Sequence, residues 1–77
     1  MSTMHLTGDL VRFLRINVNK QSQRAFGKAI GFSYVYVCQI ETGVVPMTAR
    51  FERAVINTLG LTEDDVMKYQ RIINEIN

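Results

Sequence analysis

The residues of this chain that are able to do chemistry are few, and their types point to hydrogen bonding rather than covalent work. There is one histidine, His5, and one cysteine, Cys38. His5 has no second histidine and no neighbouring cysteine to complete a metal set, so it reads as a solvent-exposed or packing residue. A single cysteine excludes an internal disulfide, and a reducing cytoplasm is the expected setting. Cys38 is expected on the polar side of its helix and, with no cationic neighbour assured, reads as an inert thiol in preference to a redox sensor. The carboxylates scatter over expected helix ends, no phosphate-cradling glycine loop is present, and no nucleophile is spaced with a base. The chain is expected to be no enzyme and to need no cofactor or metal. What remains is a concentration of polar side chains between Gln23 and Thr42, in the stretch QRAFGKAIGFSYVYVCQIET. It reads as two short helices joined at Gly31, the second carrying polar groups where a nucleic-acid groove could meet them.

Five helices are expected to position that stretch. Thr7 caps the first, with Asp9 favouring the helix dipole and Leu6 placed as a staple. Leu10, Val11 and Leu14 form its apolar stripe, and the asparagines at 17 and 19 end it near Ile16. Ser22 opens a second helix to about Ile30, with Phe26, Ala29 and Ile30 on one face. Gly27 inside it costs about 1 kcal/mol relative to alanine, which a close approach by another backbone would explain. Gly31 ends the helix in a left-handed conformation and Phe32 turns inward. Tyr34-Val35-Tyr36-Val37 alone resembles a strand. The Ser33 cap, the stop at Gly43, the helical spacing of Val37 and Ile40, and the lack of any partner strand instead predict a helix to Glu41 or Thr42. After a loop around Pro46, Thr48 caps a fourth helix with Phe51, Ala54, Val55, Thr58 and Leu59 inward. Gly60 ends it. Thr62 and Asp65 form a variant capping box for a fifth helix, in which Val66, Tyr69, Ile73 and Ile76 make a heptad-like seam. That seam must pack on its own core or on a second copy.

Seventy-seven residues, 47% of them hydrophobic, make a single domain over 1–77 that is marginal alone, so dimerisation is a natural remedy. No apolar run approaches the roughly 20 residues of a membrane span, and Met1 to Leu6 lacks the pattern of an export signal. Residues 1–61 carry seven basic against three acidic side chains, and residues 62–77 two against four. A basic body with a slightly acidic tail suits a polyanion, although a mixed surface of ordinary kind has the same balance.

The spacing of Gln23, Phe26, Gly31, Ser33, Val37, Ile40, Glu41 and Gly43 resembles the helix-turn-helix of the phage repressor and Cro family, the lambda repressor-like domains. The family pattern is roughly Q-x-x-L-A-x-x-x-G-h-S-x-x-x-h-x-x-h-E-x-G, with h apolar. The resemblance covers about residues 7–61 and leaves out the helix over 62–77, a possible dimer contact. It implies an all-α, five-helix, lambda repressor-like DNA-binding domain. Gly27 stands where the family has alanine, the loop before Gln23 is one residue longer, Pro46 comes one residue early, and Tyr34-Val35-Tyr36 is unusually apolar for a recognition helix.

The resemblance also implies roles. Gln23 contacts a phosphate at a helix N-terminus. Ser33, Tyr34 and Val35 open the recognition helix, with Val35 near a thymine methyl and the Tyr34 hydroxyl on a phosphate. Gln39 is placed for a bidentate contact to adenine, and Thr42 and Arg50 lie where the family grips the DNA backbone. Arg15 and Glu41 match a partly buried ion pair of structural purpose. Arg24 and Lys28 share a helix face and are either phosphate contacts or solvated charges. Tyr36 reads as half-packed in preference to a base reader. Two functions follow: a sequence-specific regulator that binds a palindromic operator in double-stranded DNA as a homodimer, or a protein-interaction module, antirepressor or inhibitor, that uses the Tyr34-Val35-Tyr36 surface.

Overall fold

The structure, a computed structural model, describes residues 6–76; His5 lies outside them. The described residues form five α-helices and no strand: α1 (Gly8–Phe13, continued by a π-helical turn over Leu14–Val18), α2 (Gln23–Ile30), α3 (Tyr34–Thr42), α4 (Ala49–Leu59) and α5 (Glu63–Ile76). Helix α1 packs against α3 and α5, while α2 packs against α3 and α4. The shared core contains Leu10, Val11, Leu14, Phe26, Ile30, Val37, Ile40, Phe51 and Val55, with Val66 and Ile73 of α5 at its edge.

Each helix start follows from local chemistry. Thr7, Ser22, Ser33 and Thr48 accept hydrogen bonds from the backbone N–H groups of Leu10, Ala25, Tyr36 and Phe51 at 3.1–3.2 Å. These bonds satisfy donors that a helix N-terminus otherwise leaves unpaired. At α5 the capping box is reciprocal. The Thr62 N–H donates to the Asp65 carboxylate, and the Asp65 N–H donates to the Thr62 hydroxyl. The Thr62 backbone N–H, and after it the Thr62 side chain, hold the Asp65 carboxyl below its ordinary value. The segment Tyr34–Val37 is helical, as its Ser33 cap and the inward spacing of Val37 and Ile40 require.

The first helical path runs to Val18 and does not stop near Ile16. The Asn19 N–H reaches back five residues to the Leu14 carbonyl, at 2.8 Å, which widens the last turn. In a regular α-helix Val18, four residues after Leu14, would join the buried stripe. The wider turn rotates it out, and Val18 is exposed. In α2 the buried face is Phe26, Gly27 and Ile30; Ala29 is exposed. Gly27 is covered instead, because the α2–α3 turn and the start of α3 rest on that side of α2. Thr58 is exposed too, because the core contact at that end of α4 passes to Leu59 and Leu61. The seam of α5 is divided. Val66, Tyr69 and Ile73 pack on this chain's own core, with the Tyr69 ring 5.9 Å from that of Phe13, whereas Ile76 is 71% exposed.

Candidate nucleic-acid interface

The α2–α3 pair is the most extensive helix contact of the molecule. Its turn is set by two glycines. Gly31 adopts φ +85°, a conformation that only glycine enters without strain. A Cβ on Gly27 would lie 2.6 Å from the Phe32 carbonyl oxygen, so the turn backbone rests directly on α2. The close approach expected for Gly27 is therefore made by the turn and the first residue of α3. Beneath the turn Phe32 stacks on Tyr36 at 5.4 Å, and both meet Phe51 of α4. Tyr36 is half-packed, as its position suggests.

A buried ion pair fixes the roll of α3. The Arg15 Nε donates to Glu41 Oε2 at 2.7 Å and its Nη2 donates to Oε1 at 3.1 Å. Arg15 Nη1 reaches the Gln21 carbonyl, and the Gln23 amide nitrogen donates to Glu41 Oε1 at 3.2 Å. The Arg15–Glu41 pair thus ties the π-helical turn, the loop before α2, the start of α2 and the end of α3 together. With Val37, Ile40 and Glu41 held inward, Val35, Gln39 and Thr42 fall at i, i+4 and i+7 on the opposite stripe.

The expected site residues separate into groups. Tyr34 and Val35 are 44% and 49% exposed at the start of α3, and Gln39 is half-buried one turn on. Ser33 is exposed, but its hydroxyl is used as the α3 cap. Gln23 has an amide donor turned to Glu41, which leaves it one N–H for any phosphate. Thr42 donates its hydroxyl to the Cys38 carbonyl at 2.9 Å, so its proton is spent within the helix. Arg24 and Arg50 are exposed on α2 and α4. The Arg24 guanidinium lies 4.3 Å from the Tyr34 ring centre, and that of Arg50 lies 5.9 Å from the Phe32 ring centre. Arg15–Glu41 is the only ion pair among the described residues, so neither arginine pairs with a carboxylate among them.

Three features are absent from the sequence reading. The Arg24–Tyr34 stack joins residues with no periodic relation, so nothing in the spacing announces it. Arg53 and Asn57 share an open shelf with Arg50, floored by Ala49 and Ala54; their i, i+3, i+7 spacing was the available signal. Gly8 opens α1 where a Cβ would collide with the Ile40 carbonyl and crowd that of Glu41. A glycine in the first turn of a capped helix hints at such an approach.

Among the described residues no group of three His, Cys, Asp or Glu side chains is placed to hold a metal ion, and no helix is long and apolar enough to cross a membrane. No protein-family model, curated protein or solved structure matches the chain.

Proposed function

We propose that this chain is a sequence-specific DNA-binding transcriptional regulator. It is of the small phage- or plasmid-type repressor or controller kind and acts in the cytoplasm as a homodimer through a helix-turn-helix formed by α2 and α3. The observation that supports this reading best is the outward stripe of α3. The inward side of α3 is locked by Glu41, and Val35 and Gln39 point away from it. Such a helix is an object of the size that a major groove admits. Its first residues meet base edges when the helix enters N-terminus first. Gln39 serves as the adenine reader, Val35 meets a thymine methyl, and Arg24 and Arg50 hold phosphates. Two arginines with no carboxylate partner among the described residues favour this over a neutral partner, because phosphate contacts supply most of the affinity for DNA.

A second reading is a protein-interaction module on the same scaffold. The exposure of Tyr34 and Val35, an apolar pair at the helix start, favours it. Binding to duplex DNA across a salt series separates the two. The regulator binds duplex DNA with an affinity that falls steeply as salt rises, through counterion release. A chain that binds no duplex at low salt, or binds with no salt dependence, contradicts the DNA-binding reading.

A further inference from the structure

We infer that Tyr34 is a positioning residue for a phosphate-gripping Arg24, and that its ring, not its hydroxyl, is the part that matters. This rests on the DNA-binding reading above and assigns a division of labour within that site. The Arg24 guanidinium sits 4.3 Å from the centre of the Tyr34 ring, within the range of a cation–π contact. Both side chains are exposed, and the contact joins the first turn of α2 to the first residue of α3 across the outside of the turn. Arg24 has no carboxylate partner among the described residues. An aromatic face attracts the cation without using its N–H groups, so the guanidinium is held in place with its donors unspent. A carboxylate in the same position would have consumed two of them and cancelled the charge.

The geometry follows from parts already fixed. Gly27 lets the turn rest on α2, and the Ser33 cap starts α3 at Tyr34. That brings position 34 beside position 24, ten residues apart in the chain. An exposed arginine loses rotamer freedom when it is fixed, so holding it beforehand lowers the cost of gripping a phosphate. The apolar character of the α3 N-terminus is then in part a seat for a cation. It does not have to be explained by base reading or by a protein partner.

The test uses two mixed-sequence DNA duplexes unrelated to each other, the full chain and the variants Arg24→Ala, Tyr34→Phe, Tyr34→Ala and Arg24→Ala/Tyr34→Ala, with Kd read by fluorescence anisotropy over a salt series. Arg24→Ala is expected to weaken binding equally on both duplexes and to reduce the salt slope by about 1. Tyr34→Phe is expected to bind as the parent does. Tyr34→Ala is expected to weaken binding about two- to five-fold, and to have no further effect once Arg24 is alanine. The inference is overturned if Tyr34→Phe is as damaging as Tyr34→Ala, if the two alanine effects multiply, or if Arg24→Ala changes nothing. An Arg24→Ala loss confined to one duplex overturns it as well, since that is base reading. If the parent chain itself binds neither duplex at low salt, the DNA-binding reading falls and this one falls with it. Every other failure leaves that reading standing.

Discussion

At the scale of single residues, Gly27 and Glu41 decide the shape of the α2–α3 pair, and they do so by opposite means. Helix propensity alone predicts that Gly27→Ala gains about 1 kcal/mol. The 2.6 Å approach of the Phe32 carbonyl to the missing Cβ predicts the reverse sign. That neighbour is backbone and cannot rotate away, so the overpacking cost of about 1–3 kcal/mol prevails. Urea unfolding of Gly27→Ala is expected to show a lower midpoint; a higher one would contradict the close approach. Glu41 acts through charge. It is buried, accepts two bonds from Arg15 and one from Gln23, and no buried side-chain polar atom among the described residues is left without a partner. Glu41→Ala strands a buried guanidinium, and breaking such a pair costs about 3–5 kcal/mol. That is a large part of the total of about 5–15 kcal/mol that holds an ordinary domain together. Replacing both partners with apolar residues of similar volume is expected to be far milder. A single Glu41→Ala chain whose unfolding free energy falls by less than 1 kcal/mol would show that the pair does not set the roll of α3.

At the scale of elements, the helices themselves were legible because their signals are local. A hydroxyl caps α1 through α4, and the Thr62–Asp65 box opens α5. Each cap is followed by apolar residues at helical spacing. What was not legible depends on neighbours distant in sequence. The end of α1 moved because a π turn brought in no residue that composition marks. Ala29 and Thr58 lie outside because the packing of other helices, not the periodicity of α2 and α4, determines which arc is covered. The Arg15–Glu41 pair was expected only from the family resemblance, and the Arg24–Tyr34 contact not at all. The fifth helix is the clearest case. Its seam permitted either its own core or a second copy. In the structure Val66, Tyr69 and Ile73 pack on the chain's own core, leaving Ile76 and Met67 outside. Burying Val66 and Ile73 contributes about 1.5–3 kcal/mol each. Removal of residues from Thr62 onward is therefore expected to leave a chain that is largely unfolded at room temperature by circular dichroism. A truncated chain that melts like the full one would show α5 to be dispensable for the fold.

At the scale of the whole molecule, the parts converge on one face. The core is shared by all five helices, and the ion pair locks α3 from behind. The outward stripe of α3 stays exposed, and Arg24 and Arg50, exposed at Tyr34 and Phe32, pair with no carboxylate among the described residues. A second copy related by a two-fold axis would present two such stripes, spaced to meet half-sites about 34 Å apart, one turn of duplex. That arrangement makes a specific demand on sequence. Base contacts at Gln39 and Val35 would be repeated in inverted order, while the phosphate contacts at Arg24 and Arg50 would be indifferent to sequence. Selection of bound molecules from a pool of random duplex DNA tests this most directly. The predicted result is enrichment of an inverted repeat whose half-site centres lie about one helical turn apart. A pool that shows no enriched sequence after repeated selection at moderate salt would contradict sequence-specific DNA binding by this chain.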